Sequence, residues 1–167
     1  MKFIRPIFFT LTFLSLSHFS LLAQKTYGNL YHPEANATAD IAKAVEKAAA
    51  EGKHVIVQGG GNWCGWCYKF HDFIENDAEL KKLLDDNYVL YHLNYSKEAT
   101  NEAVFAQYGF AQRFGFPVLI VLDGKGNRLH TQDSGLLESG EGYDRKKVEG
   151  MLKAWTPTAL NPASYQK

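Results

Sequence analysis

Along the first two dozen positions, polar and apolar residues fall into blocks rather than alternating. Met1-Lys2-Phe3-Ile4-Arg5 is short and basic, Ile7 to Leu22 is apolar with Ser and Thr mixed in, and Ala23 supplies a small residue. That order predicts a secretory signal peptide over 1–23, although Leu21 is large for a position so close to the cleavage site. An uncleaved membrane anchor is the competing reading. His18 and several Ser within the run, and the lack of a basic stop-transfer cluster after it, weigh against an anchor.

Beyond the signal the pattern changes to short periodic segments. Residues 24–37 read as an irregular lead-in containing Gly28 and Pro33. Thr38 can cap a helix with Ile41, Val45, Ala48 and Ala49 on its apolar face, ending at Gly52. Val55-Ile56-Val57 is a short buried strand that Gly59-Gly60-Gly61-Asn62 is expected to break. Tyr68, Phe70, His71, Phe73 and Ile74 then follow at helical spacing, and Asn76 or Asp77 can cap a second helical piece carrying Leu80, Leu83 and Leu84.

Tyr88 to Leu93 is a second strand candidate, and Glu98 to Phe114 reads as helix interrupted near Gly109. Pro117 opens Val118-Leu119-Ile120-Val121-Leu122, a strand buried on both faces. Asp123-Gly124-Lys125-Gly126-Asn127 signals a hairpin returning through Arg128 to Thr131. Ser134 to Gly142 is loop-like. Tyr143, Val148, Met151, Leu152 and Trp155 form the stripe of a closing helix, and 157–167 reads as a short disordered tail. The expected domain therefore spans 38–156: an α/β fold with a mixed sheet covered by helices.

Composition narrows the chemistry more than the fold. Of the 167 residues, 46% are apolar and 22% charged, enough for one ordinary core. Without Lys2 and Arg5 the remainder is nearly neutral, which argues against electrostatic capture of nucleic acid or of an anionic membrane. The chain has only two cysteines, Cys64 and Cys67, in Trp63-Cys64-Gly65-Trp66-Cys67. A bridge between them closes too short a loop to stabilise much, so the pair suits chemistry better than stapling.

Cys64 falls where a buried strand turns into a helix. The unpaired amides and positive dipole end found there stabilise a thiolate. Cys67 lies one turn further in and is expected to be the recessed, resolving thiol, with Gly65 between them leaving room for a substrate chain. A zinc or copper module using Cys64, Cys67 and His71 is the main alternative, but only three ligands are in view. A c-type haem would need His where Tyr68 stands. Gly59-Gly60-Gly61 lacks the Lys-Ser/Thr of a phosphate loop.

With these residues in place the chain resembles the thioredoxin superfamily. The matching features are Val55-Ile56-Val57, the motif from Trp63 to Cys67, Gly115-Phe116-Pro117 before Val118 to Leu122, the turn Asp123-Gly124-Lys125-Gly126, and the closing helix. It is most similar to exported bacterial proteins with a CGWC-type centre, including the C-terminal domain of an electron-relay protein. The resemblance implies a three-layer α/β/α fold on a central mixed sheet of four to five strands. It also implies a cis Pro117 facing the cysteine pair, and a Phe116 backbone that pairs with substrate. Trp63, Gly65 and Trp66 would complete the substrate-binding surface.

Two departures stand out. Typical thioredoxins carry a buried Asp where this chain has Gln58, and a Lys on the neighbouring strand where His92 falls. Gln cannot take a proton at neutral pH, whereas His can. Trp66 stands where those proteins have Pro.

The expected activity is thiol–disulfide exchange, with catalytic Cys64 and Cys67 and no organic cofactor or metal. Expected partners are proteins bearing disulfides or dithiols and a membrane electron donor. The expected compartment is outside the cytoplasm, periplasmic in a Gram-negative cell, with no stable membrane association once the signal is cleaved. A non-catalytic interaction domain that keeps the fold is the third reading.

Overall fold

Helix α1 (Ala37–Glu51) starts two residues before the expected site, because Asn36, not Thr38, caps it. The Asn36 side chain accepts from the Ala39 amide at 3.1 Å, satisfying a donor that the first turn leaves open. At the other end Gly52 adopts a left-handed conformation (φ +66°) that suits glycine, and its amide bonds back to the last carbonyls. The buried stripe is Ala37, Ile41, Ala44 and Ala48; Val45 is only half-buried and Ala49 is exposed. The structure, a computed structural model, describes residues 27–166, so the signal peptide expected over 1–23 lies outside the described residues.

The central sheet has four strands in the order β2-β1-β3-β4, built from β1 (His54–Gly60), β2 (Tyr88–Asn94), β3 (Val118–Leu122) and β4 (Arg128–Asp133). β1 runs parallel to β2 and antiparallel to β3, and β3 is antiparallel to β4, so the sheet is mixed. Alternation of side chains sorts the core into two layers. Val55, Val57, Val118, Ile120 and Leu122 face α1 and α4 (Glu102–Gln107). Ile56, Leu119 and Val121 face α2 (Gly65–Glu75), α3 (Ala78–Asn87) and α5 (Arg145–Ala154). The expected three-layer α/β/α architecture is present.

Four expectations are corrected. β1 does not stop before Gly59 but runs to Gly60. Its glycines admit close neighbours: a Cβ on Gly59 would stand 2.9 Å from both Phe105 and Val118. The helix expected over 98–114 shrinks to α4 and a 3-10 turn at Ala111–Phe114, since Phe110 turns into left-handed geometry between them. Tyr143 precedes the closing helix instead of belonging to it. It lies on β6 (Gly142–Tyr143), which pairs with β5 (Glu138–Ser139) after a 3-10 turn at Ser134–Leu137. Finally, the tail beyond 156 forms turns and a 3-10 helix, Pro162–Tyr165, where Tyr165 Oη donates to the Ala159 carbonyl at 2.7 Å.

Helix α5 is fixed at both ends. Asp144 caps its first turn, and Arg145 reaches Asp77 Oδ2 at 2.8 Å and also Glu79, joining α5 to the start of α3. His54 Nδ1 meets the Trp155 carbonyl at 2.8 Å, and the Trp155 ring stacks on His130. The cap assignment is open to test: Asn36→Ala should lower stability to urea by about 1 kcal/mol, and Thr38→Ala should lower it by much less.

Candidate active site

Cys64 is the N-cap of α2, which places its sulfur at the open end of the first turn. Its Sγ accepts from the Cys67 amide at 3.2 Å, and the two sulfurs are joined in a disulfide with Cα atoms 5.3 Å apart. Cys64 keeps 5% of its surface exposed and Cys67 none. The expected recess of Cys67 is present, but Cys64, expected to be exposed, is itself buried in the bonded state and only slightly more open than its partner. The difference follows from helix geometry, because one sulfur lies at the cap and the other one turn inward.

Strand β1 determines how closely the pair approaches the sheet. A Cβ on Gly60 would stand 2.5 Å from Cys67 Sγ and 2.5 Å from Tyr31 Oη. The strand therefore continues past the point where the sequence suggests a break, and glycine there leaves space that sulfur and hydroxyl both fill. On the far side, Gly115 holds φ +82°, a left-handed value that favours glycine, and leads into a cis Phe116–Pro117 bond. Pro117 is buried. Half-buried Phe116 packs on the cluster around the cysteines and meets the Trp63 ring edge-on at 5.7 Å.

The two tryptophans flank the disulfide. Trp63 donates Nε1–H to the Tyr95 carbonyl at 2.7 Å, beside an open groove lined by Tyr95, Ser96, Lys97 and Thr100. Trp66 meets Tyr143 edge-on at 5.6 Å and carries the Lys69 ammonium over its face at 4.3 Å. Trp63, Gly65, Trp66, Phe116 and Pro117 are thus distributed around the dithiol or on the loop beside it. One expectation changes: the space over Gly65 is not empty. A Cβ there would lie 2.8 Å from the Tyr27 hydroxyl, so the lead-in already occupies part of it.

That lead-in is the part of the site the sequence reading missed. Tyr27 N–H donates to the Asn62 carbonyl at 2.8 Å, and the Asn62 side chain bonds both the amide and the carbonyl of Tyr31, at 3.0 Å and 2.8 Å. Tyr68 Oη donates to Asn62 Oδ1 and accepts from the Leu30 amide. The large apolar residues Tyr27, Leu30 and Tyr31, set in an otherwise polar stretch, were the available signal that this segment docks. Nothing in the sequence marked Asn62.

Gln58 and His92 lie opposite each other in the β1–β2 register, as their comparison with the Asp–Lys pair of typical thioredoxins requires. Gln58 is buried, and its Nε2 donates to Tyr31 Oη at 2.8 Å and to the Cys67 carbonyl at 3.4 Å. His92 presents its ring to Tyr31 at 5.4 Å, with Nε2 buried and unpartnered. Burial, reinforced by the neighbouring His71 and His32, pushes its pKa down to about 4, so it is neutral at neutral pH. His71 does not join the cysteines. It faces His92 at 6.0 Å and lines a small interior cavity with Gln58. Among the described residues no three His, Cys, Asp or Glu side chains are grouped to hold a metal ion.

The disulfide at a helix cap and the sheet order point to one family, and comparison of the sequence agrees over residues 36–124. The chain belongs to the thioredoxin-like family. No curated protein matches it. Among solved structures, a disulphide isomerase from Xylella fastidiosa Temecula1 superposes with a TM-score of 0.66 at 18% identity, covering 77% of this chain and 97% of that one. The DsbH oxidoreductase gives 0.51 at 23%, covering 68% and 79%. The reduced DsbD C-terminal domain of Neisseria meningitidis gives 0.50 at 21%, covering 70% and 95%. At these identities the likeness is one of fold.

The thioredoxin-like site tolerates little at β1. Gly60→Ala should lower stability by about 1–3 kcal/mol in denaturant titration, because neither the sulfur nor the tyrosine ring has room to move. Gly142→Ala, with nothing within 4 Å of the added carbon, should change little.

Proposed function

We propose that this thiol–disulfide oxidoreductase acts outside the cytoplasm, chiefly as a reductase of protein disulfides. The observation that carries the reading is the Cys64 sulfur at the cap of α2, receiving the Cys67 amide at 3.2 Å within disulfide reach of Cys67. An amide aimed at that sulfur favours its thiolate, and the helix dipole adds to the effect.

The reaction has two exchanges. Cys64 thiolate attacks one sulfur of a substrate disulfide, and the other substrate sulfur leaves as a thiolate that takes up a proton. Cys67 thiolate then attacks Cys64, the mixed disulfide breaks, and the second substrate sulfur leaves in the same way. The substrate gains two electrons and the protein ends with the Cys64–Cys67 bond. A membrane electron donor is needed to reduce that bond again in an oxidising compartment. No organic cofactor or metal takes part in these exchanges.

Substrate docks where Phe116 and Trp63 approach the disulfide, with Trp66 on the opposite side. The export signal expected over 1–23 supports the compartment. The resemblance of the motif to electron-relay domains, and the lack between the cysteines of the residues typical of strong oxidants, favour the reducing direction.

Two substitutions test this. Cys64→Ser should abolish insulin-disulfide reduction driven by dithiothreitol. Cys67→Ser should accumulate mixed disulfides with substrate proteins on non-reducing gels. Full activity in Cys64→Ser, or an empty Cys67→Ser trap, would contradict the assignment.

A further inference from the structure

The resolving thiol of a dithiol enzyme must lose its proton inside the protein, and here its surroundings hold no carboxylate at the Gln58 position. Burial of Cys67 with no compensating partner would raise its pKa and leave it a poor nucleophile. The structure supplies another group. Tyr31 is almost fully buried beside Cys64 and Cys67, and both its hydroxyl and Cys67 Sγ lie 2.5 Å from the same point above Gly60. The two are therefore within twice that distance of each other. Gln58 Nε2 donates to Tyr31 Oη, which leaves the hydroxyl hydrogen free to be given elsewhere.

We propose that Tyr31 is a positioning residue for Cys67: its hydroxyl, oriented by Gln58, donates to the Cys67 sulfur when the pair is reduced and holds that sulfur as a thiolate ready to resolve the mixed disulfide. The inference rests on the dithiol reading above and deepens it. A disulfide sulfur is a weak acceptor and a thiolate a strong one, so the bond is made mainly in the reduced and mixed-disulfide states. The proton that Cys67 sheds passes to the substrate thiolate released in the first exchange. When Cys67 then attacks Cys64, the second substrate sulfur leaves, the new S–S bond removes the acceptor, and the hydroxyl keeps its hydrogen throughout. Burial holds the ionisation of Tyr31 well above the ordinary tyrosine range, so it remains a donor at every working pH.

The geometry makes this position specific. Tyr31 reaches the dithiol because Asn62 bonds both its amide and its carbonyl, at 3.0 Å and 2.8 Å, tying the segment before α1 to the active-site loop. The other titratable groups facing the pocket are Tyr68 and His71 from α2, His92 from β2, Tyr143 from β6, and His32 beside Tyr31. His92 is neutral at neutral pH and places no charge there.

The test isolates each thiol. With Cys64→Ser the only remaining cysteine is Cys67, and its thiolate can be titrated by ultraviolet absorbance. Adding Tyr31→Phe keeps the ring and removes the hydroxyl, and should raise the Cys67 pKa by about one unit, the worth of a hydrogen bond to a charged group. In the protein with both cysteines, Tyr31→Phe should slow substrate release from the mixed disulfide by about tenfold at neutral pH. The deficit should close as pH rises, with the alkylation profile of Cys64 unchanged. Superimposable Cys67 titrations, or a deficit equal at every pH, would overturn the proposal.

Proton NMR of the unmutated protein gives a second reading. Reduction should reveal a slowly exchanging Tyr31 hydroxyl proton in contact with the Cys67 β-protons, and contact with His92 instead would overturn the proposal. A wild-type protein that reduces insulin through Cys64 while Tyr31→Phe titrates normally removes only the tyrosine; an active Cys64→Ser removes the reading beneath it.

Discussion

A sulfur atom at the open end of a helix is the constraint on which the rest of this structure depends. Cys64 caps α2 and receives the amide of Cys67, the residue with which it shares a disulfide. The cap needs a strand that delivers the chain to that point and a helix that starts there. β1 and α2 do this within a few residues, which leaves Gly60, Asn62 and Trp63 little freedom. The outer sulfur then keeps a small exposed surface and the inner one none, a difference on which the proposed division of roles between the two thiols rests.

Packing around the inner sulfur follows from one missing side chain. Gly60 brings β1 close enough for Cys67 and Tyr31 to lie against its backbone, and Gln58, two residues earlier on the same face, bonds Tyr31 and the Cys67 carbonyl. Neutral donors and a neutral His92 thus surround a group that typical thioredoxins serve with a carboxylate. The polar groups are compensated among themselves, except for the buried Nε2 of His92. Such a pocket offers hydrogen bonds rather than a buried counter-charge, and burial alone would work against a thiolate there.

Much of this was legible beforehand, and the limits have physical causes. Val118 to Leu122 stood out because a strand buried on both faces must be apolar throughout, and it is. Asp77 was among the residues expected to cap α3 and does so. The cysteine pair was marked by its place between strand and helix. Glycines misled: the run at 59–61 resembles a break, whereas Gly59 and Gly60 stay in the strand because Phe105, Val118, Cys67 and Tyr31 need the space. Tyr31 escaped notice because irregular segments have no period, so one buried aromatic cannot be separated from an exposed one. Its position depends on Asn62 about 30 residues away, a contact no local pattern encodes.

The central claim is that helix-cap geometry makes Cys64 the acidic, reactive thiol. The direct measurement is the pH dependence of Cys64 alkylation in the reduced protein, with modification sites assigned by mass spectrometry. The account predicts a midpoint at least about one unit below the ordinary cysteine value near 8.5, with Cys67 reacting far more slowly. A midpoint at or above that value, or equal rates at the two sulfurs, would contradict it.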